Sequence, residues 1–547
     1  MKKRLLSMLT VMILLTLAVC GTLAQASTVE GLDGVKFTTT RKITVEIYDR
    51  NNDGGTDPTN NYYTDYIKAQ MLEKHNVAVE FQPVGRWSEE TDINNLLAGG
   101  SAPDICVTYS APTIQLYADM GGVVELTPYL EKMKDILPNL FERIGESGVY
   151  WDRNPDTGEL YSLEGKRANV AKLTTFVRSD WLAKLGLPVP TTEEEFHDVL
   201  VAFRDNAELL LGEEASQMIP LLVTFDVGWT AEPLITSYIP DDITDKELYT
   251  RGFDSRRLLF PGYKDAIRVL NTWYNEDLLW KDFALYKAGD TTNENLSKAG
   301  YVGAQMQNWD QLFRNGDDSV VANIQRATGD PEAGYIAITP FPNKAGNIRT
   351  YPYNPTGSDR KTFLPSSNDE IEASLLYLDF IASEETLKFL QLGDEGVTHT
   401  LAENGGYKTV ATTGEKIMNS LNNIDYTIVV NGLDFADDET VAKSIALGYA
   451  GVDPELIVSA YETSQVNPRF NNAGTLGTIA SEAGIGTTLD DKRDKLLDQA
   501  VVASPEQFDS VFDSSLADYL ATGGQSIIDE RTAVWEKLFG DSASLDK

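Results

Sequence analysis

Aromatic residues stand beside polar residues in predicted loops at five places: Arg86-Trp87, Tyr109-Ser110, Gly228-Trp229-Thr230, Asn308-Trp309-Asp310 and Tyr351-Pro352-Tyr353-Asn354. Flat rings suit the apolar faces of sugar rings, and amides, carboxylates and Arg suit the hydroxyls. The chain holds 8 Trp and 24 Tyr, more than a core requires. Packing explains any one of these rings, but together they favour a carbohydrate cleft.

Asp49-Arg50-Asn51-Asn52-Asp53-Gly54 matches the first half of a calcium loop, with Asp57 at the ninth position. The twelfth is Asn60 instead of a bidentate Glu, and a strand precedes the loop. It reads as a ligand-contacting loop without metal. Catalytic spacings are missing: there is no H-E-x-x-H, G-x-S-x-G or G-x-x-x-x-G-K-[ST], and His75, His197 and His399 are too dispersed for a metal cage. No cofactor is expected. The alternatives from other classes are a secreted glycoside hydrolase, which needs two carboxyls facing across a cleft, an adhesin, and a binding protein for peptides or other solutes.

The elements that would position these residues read as alternating strands and helices. Ile43, Val45 and Ile47 alternate, Tyr63, Ile67 and Met71 recur at helical spacing, and Val77, Val79 and Phe81 alternate again. Ser88 is the expected cap of a helix ending at Gly99-Gly100, and Asp104 to Tyr109 reads as the next strand. Thr174 to Arg178 and Gly334 to Phe341 read as strands, Thr192 with Glu195 as a capping box, and Ile371 to Leu390 as a helix. The stretch from Ile417 onward reads as mostly helical. This pattern predicts βαβ units and mainly parallel sheets, whose ligands bind beyond the carboxyl ends of the strands.

The chain has 547 residues, with 46 Lys+Arg against 83 Asp+Glu. So large an acidic excess argues against nucleic acid as a partner, because phosphate binding needs a basic face. Lys2, Lys3 and Arg4 precede an apolar stretch, Leu5 to Val19, too short to span a bilayer, and Ala24-Gln25-Ala26 is a cleavage site for a signal peptidase. Residues 1–26 therefore read as a signal peptide and 27–40 as a tether. Losing three cations leaves 43 against 83, a net of −40. Leu17-Ala18-Val19-Cys20 is a rival lipobox, imperfect at Val19, that would anchor the chain through Cys20. Either route exports the protein, to the periplasm or the outer face of the membrane.

Leu96-Leu97-Ala98-Gly99-Gly100-Ser101-Ala102-Pro103-Asp104-Ile105 resembles the L-x-A-S-G-x-x-P-D-I segment of bacterial extracellular solute-binding proteins of sugar ABC transporters. Arg178-Ser179-Asp180-Trp181-Leu182-Ala183-Lys184-Leu185-Gly186-Leu187 with Pro190-Thr191-Thr192-Glu193-Glu194-Glu195-Phe196 is similar to the family's R-K-D-W-L-x-K-L-G-L … P-T-T-x-x-E-F. Gly303-Ala304-Gln305-Met306-Gln307-Asn308-Trp309 resembles G-x-x-G-M-x-x-x-W without its second Gly. Gly393-Asp394-Glu395-Gly396-Val397 resembles the G-x-E-G-V of a long lipoprotein branch that includes aldouronate- and alginate-binding proteins. The calcium loop that many members of this branch carry after the P-T-T helix is replaced here by Asn206-Ala207-Glu208-Leu209-Leu210-Leu211-Gly212-Glu213.

The resemblance implies a two-lobed α/β periplasmic-binding-protein fold, each lobe a mainly parallel sheet flanked by helices, with hinge crossings and a helical C-terminal part. Lobe one would comprise 40–160 and 340–405, and lobe two 161–339 and 406–547, with crossings near 161–166, 335–342 and 400–410. A monomer would hold a sugar or oligosaccharide between the lobes and deliver it to an ABC permease by hinge closure. The expected contacts are Asp49, Arg50, Asn51, Trp87, Tyr109 and Ser110 from lobe one, Trp229, Asn308 and Trp309 from lobe two, and Tyr353 and Asn354 returning from lobe one. The net charge disfavours uronates at long range, although Arg50 or Arg86 could override it within a Debye length of ~8 Å, so a neutral oligosaccharide is expected.

Overall fold

A computed structural model describes residues 29–544 apart from 50–55, 87, 152, 155–156, 225, 287–290, 315, 356–359, 411–413, 417–422, 450, 471–475, 477–478 and 483–484. The signal segment with Cys20, and Arg50, Asn51 and Trp87, lie outside the described residues. After a hairpin of β1 (Leu32–Asp33) and β2 (Lys36–Phe37), the strands are β3 (Arg41–Asp49), β4 (Val77–Gly85), β5 (Cys106–Thr108), β6 (Leu163–Glu164), β7 (Lys166–Arg167), β8 (Leu173–Arg178), β9 (Ile219–Leu222), β10 (Val302–Asn308), β11 (Tyr335–Ile338), β12 (Lys361–Phe363), β13 (His399–Leu401), β14 (Tyr407–Thr409) and β15 (Val430–Asn431).

In lobe one, β3 pairs in parallel with β4, Ile43 opposite Val79, and a parallel bridge joins Val45 to Ile105 just before β5. The helix Tyr62–His75 makes this crossover. Asn61 caps it by accepting from the Tyr63 and Thr64 amides, and its apolar stripe of Tyr63, Ile67 and Met71 is buried. The helix Glu89–Ala98 lacks the expected cap, because the Ser88 hydroxyl donates to Asp92 (2.6 Å) instead of accepting a backbone amide. The core gathers Ile43, Ile67, Leu375, Leu378 and Ile381 with Tyr426 and Val430. The predicted helix over 371–390 is two helices, Ile371–Ala382 and Glu384–Leu392, split where Ser383 caps the second.

Lobe two orders its strands β11-β8-β10-β9. The helix Glu193–Asp205 is capped by Thr192, which accepts from the Glu195 amide; the Glu195 carboxylate reaches back to the Thr191 amide, one residue earlier than a capping box requires. Phe196, Leu200 and Phe203 join Trp181, Leu221, Trp273 and Val302 in the core, which the C-terminal helices Gly486–Val502 and Phe508–Tyr519 complete with Leu496, Phe508 and Phe512.

The sheets are mixed, where the βαβ pattern predicts mainly parallel ones. In lobe two β9 and β10 are parallel, while β8 is antiparallel to both β10 and β11. In lobe one β12 is antiparallel to β5 and β6. Parallel neighbours need crossover helices. The chain enters β8 directly from the lobe junction and runs away from it, whereas β10 returns toward it, so the two pair antiparallel.

Three segments form the junction ribbon. Gly165 donates to Arg360 O, Lys166 to Val429 O, Arg167 to Pro355 O, Ala168 to Asn431 O and Tyr353 to Val170 O, each at 2.9 Å. Expected crossings at 335–342 and 400–410 thus lie later. The first expectation falls on β11 and on Phe341 of the lobe-two core, and the second on the hairpin of β13 with β14. Tyr426 to Val430 pack with lobe one, not lobe two. The Arg360 guanidinium, 1% exposed as a residue, fixes the third segment by donating to the carbonyls of Ile424, Thr427 and Val430 (2.6–2.8 Å). Asp434 ties Arg143 and Lys166 at 3.0 Å each.

Candidate functional site

Strands β3, β4 and β5 end together on lobe one. The Asp49 carbonyl, at the end of β3, accepts from the Arg86 amide (2.9 Å) just beyond β4. The Arg86 guanidinium lies 4.4 Å from the Tyr109 ring centroid and 5.2 Å from that of Tyr48. Glu89, 3.9 Å from Arg86, accepts from the Thr108 hydroxyl and the Tyr109 amide (3.0 Å each) and from the Tyr48 hydroxyl. Below it, burial holds the Glu46 carboxyl well above the usual carboxylate range, while one of its oxygens accepts from the Val107 amide. Ser110 caps the helix Ala111–Asp119 by accepting from Thr113, and its hydroxyl donates to Glu90 (3.3 Å). That hydroxyl is committed to local structure, which weakens the expected ligand role.

On lobe two, Trp229 sits in the short helix Val227–Thr230, capped by Asp226. Asp226 also grips Arg256 in a two-pronged pair (Nη2 to Oδ2, 2.7 Å), which lays the Arg256 guanidinium 5.1 Å from the Trp229 ring. Tyr353, on the returning junction segment, lies 6.4 Å from Trp229. Tyr353 faces Arg167 at 3.9 Å. Lys172 points at both rings, 4.8 Å from Trp229 and 5.5 Å from Tyr353, and pairs with Glu232, which also holds Arg257 at 2.9 Å. Burial pushes the Lys172 ammonium down to about 8; Glu232 opposes this, while Arg257 and Arg256 reinforce it.

Beside Tyr353 a cleft of about 810 Å³ opens, lined among others by Arg167, Asn308, Trp309, Asp310, Arg314 and Tyr407, with Asn431 and Tyr449. Asp310 holds Arg314 in a two-pronged pair and accepts from the Tyr449 hydroxyl (2.8 Å). Of the residues expected from sequence, Asn308, Trp309 and Tyr353 line this cleft and Trp229 adjoins it through Tyr353. Asp49, Tyr109 and Ser110 gather at the lobe-one strand ends, and Asn354 is outside the lining. Trp309 is only 5% exposed and meets Tyr449 and Tyr461 edge-on, so it is chiefly a packing residue with one edge toward the cleft.

Sequence reasoning missed Arg167, Lys172, Arg256 and Arg314 as site residues. Only Arg314 left a usable signal, four residues after Asp310 beside a flagged Trp. Among the described residues, no group of three or more His, Cys, Asp or Glu is placed to hold a metal, and no helix is long and apolar enough to cross a membrane.

The sequence profile of a family described as bacterial extracellular solute-binding protein matches residues 56–388. Lipoprotein LipO of Bacillus subtilis (strain 168) is 23% identical over 308 residues, half of this chain and 56% of LipO, so this chain spans little more than half of that relative. The polygalacturonan/rhamnogalacturonan-binding protein YtcQ of the same organism is 22% identical over 81% of this chain and 82% of its own. The S. pneumoniae ABC-transporter substrate-binding protein FusA, solved in complex with kestose, shares the fold with a TM-score of 0.59 at 15% identity, over 92% of this chain and all of that one.

Proposed function

The chain belongs to the bacterial extracellular solute-binding protein family, and from that premise we propose that it captures an oligosaccharide between its lobes and passes it to an ABC permease. One observation carries the sugar reading: Tyr353, on the junction itself, borders the 810 Å³ cleft and faces Trp229 and two cations. Such a surface offers ring faces for stacking with charged donors beside them for hydroxyls. The polysaccharide that YtcQ is named for and the kestose bound to FusA support the same ligand class.

Lobe one would close with Asp49, Arg86 and Tyr109 over sugar held at Tyr353, Trp229 and Asn308, and the closed form would be what the permease reads. The cleft has a binding role without turnover. The N-terminal segment supplies export, and the relative named lipoprotein supports retention at the outer face of the cell membrane through Cys20.

The test is thermal unfolding of the mature protein against neutral and acidic oligosaccharides, with the sugars analysed afterwards. A sugar at a thousandfold over its Kd adds about 4 kcal/mol, a shift of some degrees. Stabilisation with intact sugar is the expected outcome. No stabilisation across the panel contradicts sugar capture, and cleaved sugar contradicts the binding-only role.

A further inference from the structure

Lys172 is a residue that no motif singles out, yet three of the expected site residues meet on it. Its carbonyl accepts from the Trp309 amide (3.0 Å), and its ammonium addresses the rings of Trp229 and Tyr353. The side chain is 8% exposed and stands where the junction ribbon enters lobe two, one residue before β8. We infer that Lys172 is the positioning residue of the lobe-two sugar platform, holding Trp229 and Tyr353 as one surface through its charge. This rests on the binding role proposed above.

A Lys in so buried a place serves no solvation purpose, and a core position there would ordinarily carry an apolar residue. Its charged surroundings are specific. Glu232 accepts from the ammonium but is shared with Arg257, whose guanidinium lies 5.2 Å from the Tyr351 ring. Arg256 faces Trp229 from the other side, tied to Asp226, and Arg167 faces Tyr353 from the ribbon. One carboxylate thus balances two cations, and the rings supply the remaining attraction for the ammonium.

Burial, reinforced by Arg257 and Arg256 and opposed by Glu232, pushes the ammonium down to about 8. As pH rises through that value the amine becomes neutral, Glu232 is left to Arg257, and both cation–π contacts are lost. The platform should loosen and sugar affinity should fall in the alkaline direction.

The experiment follows tryptophan fluorescence of the sugar-free protein, and binding of xylotriose, kestose and trigalacturonate, from pH 6.5 to 9.5, in wild type, Lys172→Met, Lys172→Arg and Trp229→Phe. The expected result is a fluorescence step with midpoint near 8 in wild type, absent from Lys172→Met and Trp229→Phe. Affinity for whichever probe binds should fall roughly tenfold across that step, the size of one or two partly desolvated cation–π contacts. Lys172→Arg, permanently charged, should bind within a few-fold of wild type at neutral pH and show no step. A flat wild-type titration, the same step in Lys172→Met, or Lys172→Arg binding as weakly as Lys172→Met would overturn the inference. If wild type binds none of the three sugars, sugar capture fails, and the fluorescence step still decides the role of Lys172.

Discussion

The Arg167 guanidinium rests 3.9 Å from the centroid of the Tyr353 ring. One residue leaves lobe one on β7 and the other returns toward it, so this contact staples two of the three junction segments beside the cleft. A hinge motion closing the lobes would turn the backbone near this pair, and sugar stacked on Tyr353 would sense that movement.

Removing the ring should therefore cost binding more than folding. Tyr353→Ala is expected to weaken oligosaccharide affinity by at least tenfold in calorimetric titration, the size of a lost stacking surface with its cation. In a double-mutant cycle of unfolding, Arg167→Met and Tyr353→Leu should couple by about 0.5–1 kcal/mol. Additivity would mean that the contact is incidental.

Gly303 opens the Gly303-to-Trp309 motif on β10, and packing explains it. A Cβ there would stand 2.5 Å from the Phe203 ring, 3.0 Å from that of Trp181 and 3.0 Å from the Pro220 carbonyl oxygen. Gly303→Ala should lower stability by about 1–3 kcal/mol in denaturant unfolding, as overpacking does. An unchanged midpoint would show that the lobe-two core yields there.

Asp498, on the helix Gly486–Val502, is half-buried, and one of its oxygens has no hydrogen-bond partner. Burial, with Asp494 and Asp226 adding repulsion, raises its pKa to about 7. The unfolded chain ionises it near pH 4, so between about 4 and 7 the folded state binds the extra proton. Stability from this site is intact below pH 4, declines as pH rises, and reaches its full loss above 7. Asp498→Asn should therefore raise Tm over wild type more at pH 8 than at pH 4.5. An equal difference at both would refute the assignment.

How much the residues disclosed in advance depended on the range of the interactions that shape them. The stripe of Tyr63, Ile67 and Met71 and the alternation of Ile43, Val45 and Ile47 act locally, and both are buried as their period predicts. The Arg178-to-Leu187 motif is likewise structural: Arg178, 1% exposed, binds Asp180 in two prongs and the Gly300 carbonyl. The junction was harder. β6, β7 and β15 are two residues each, too short to show a period, and Arg360 earns its place through carbonyls more than sixty residues away. Trp229 and Trp309 look alike in sequence, a Trp between small or polar neighbours. They differ because Tyr449, between the helices Asp438–Leu447 and Pro454–Thr463, and Tyr461, on the second of them, close over Trp309 alone.

Capture between the lobes should be visible in small-angle scattering of the mature protein with and without a stabilising oligosaccharide. The expected result is a smaller radius of gyration with sugar, and no contraction in Tyr353→Ala at the same sugar concentration. Saturating binding with an unchanged radius of gyration in the wild type would contradict it.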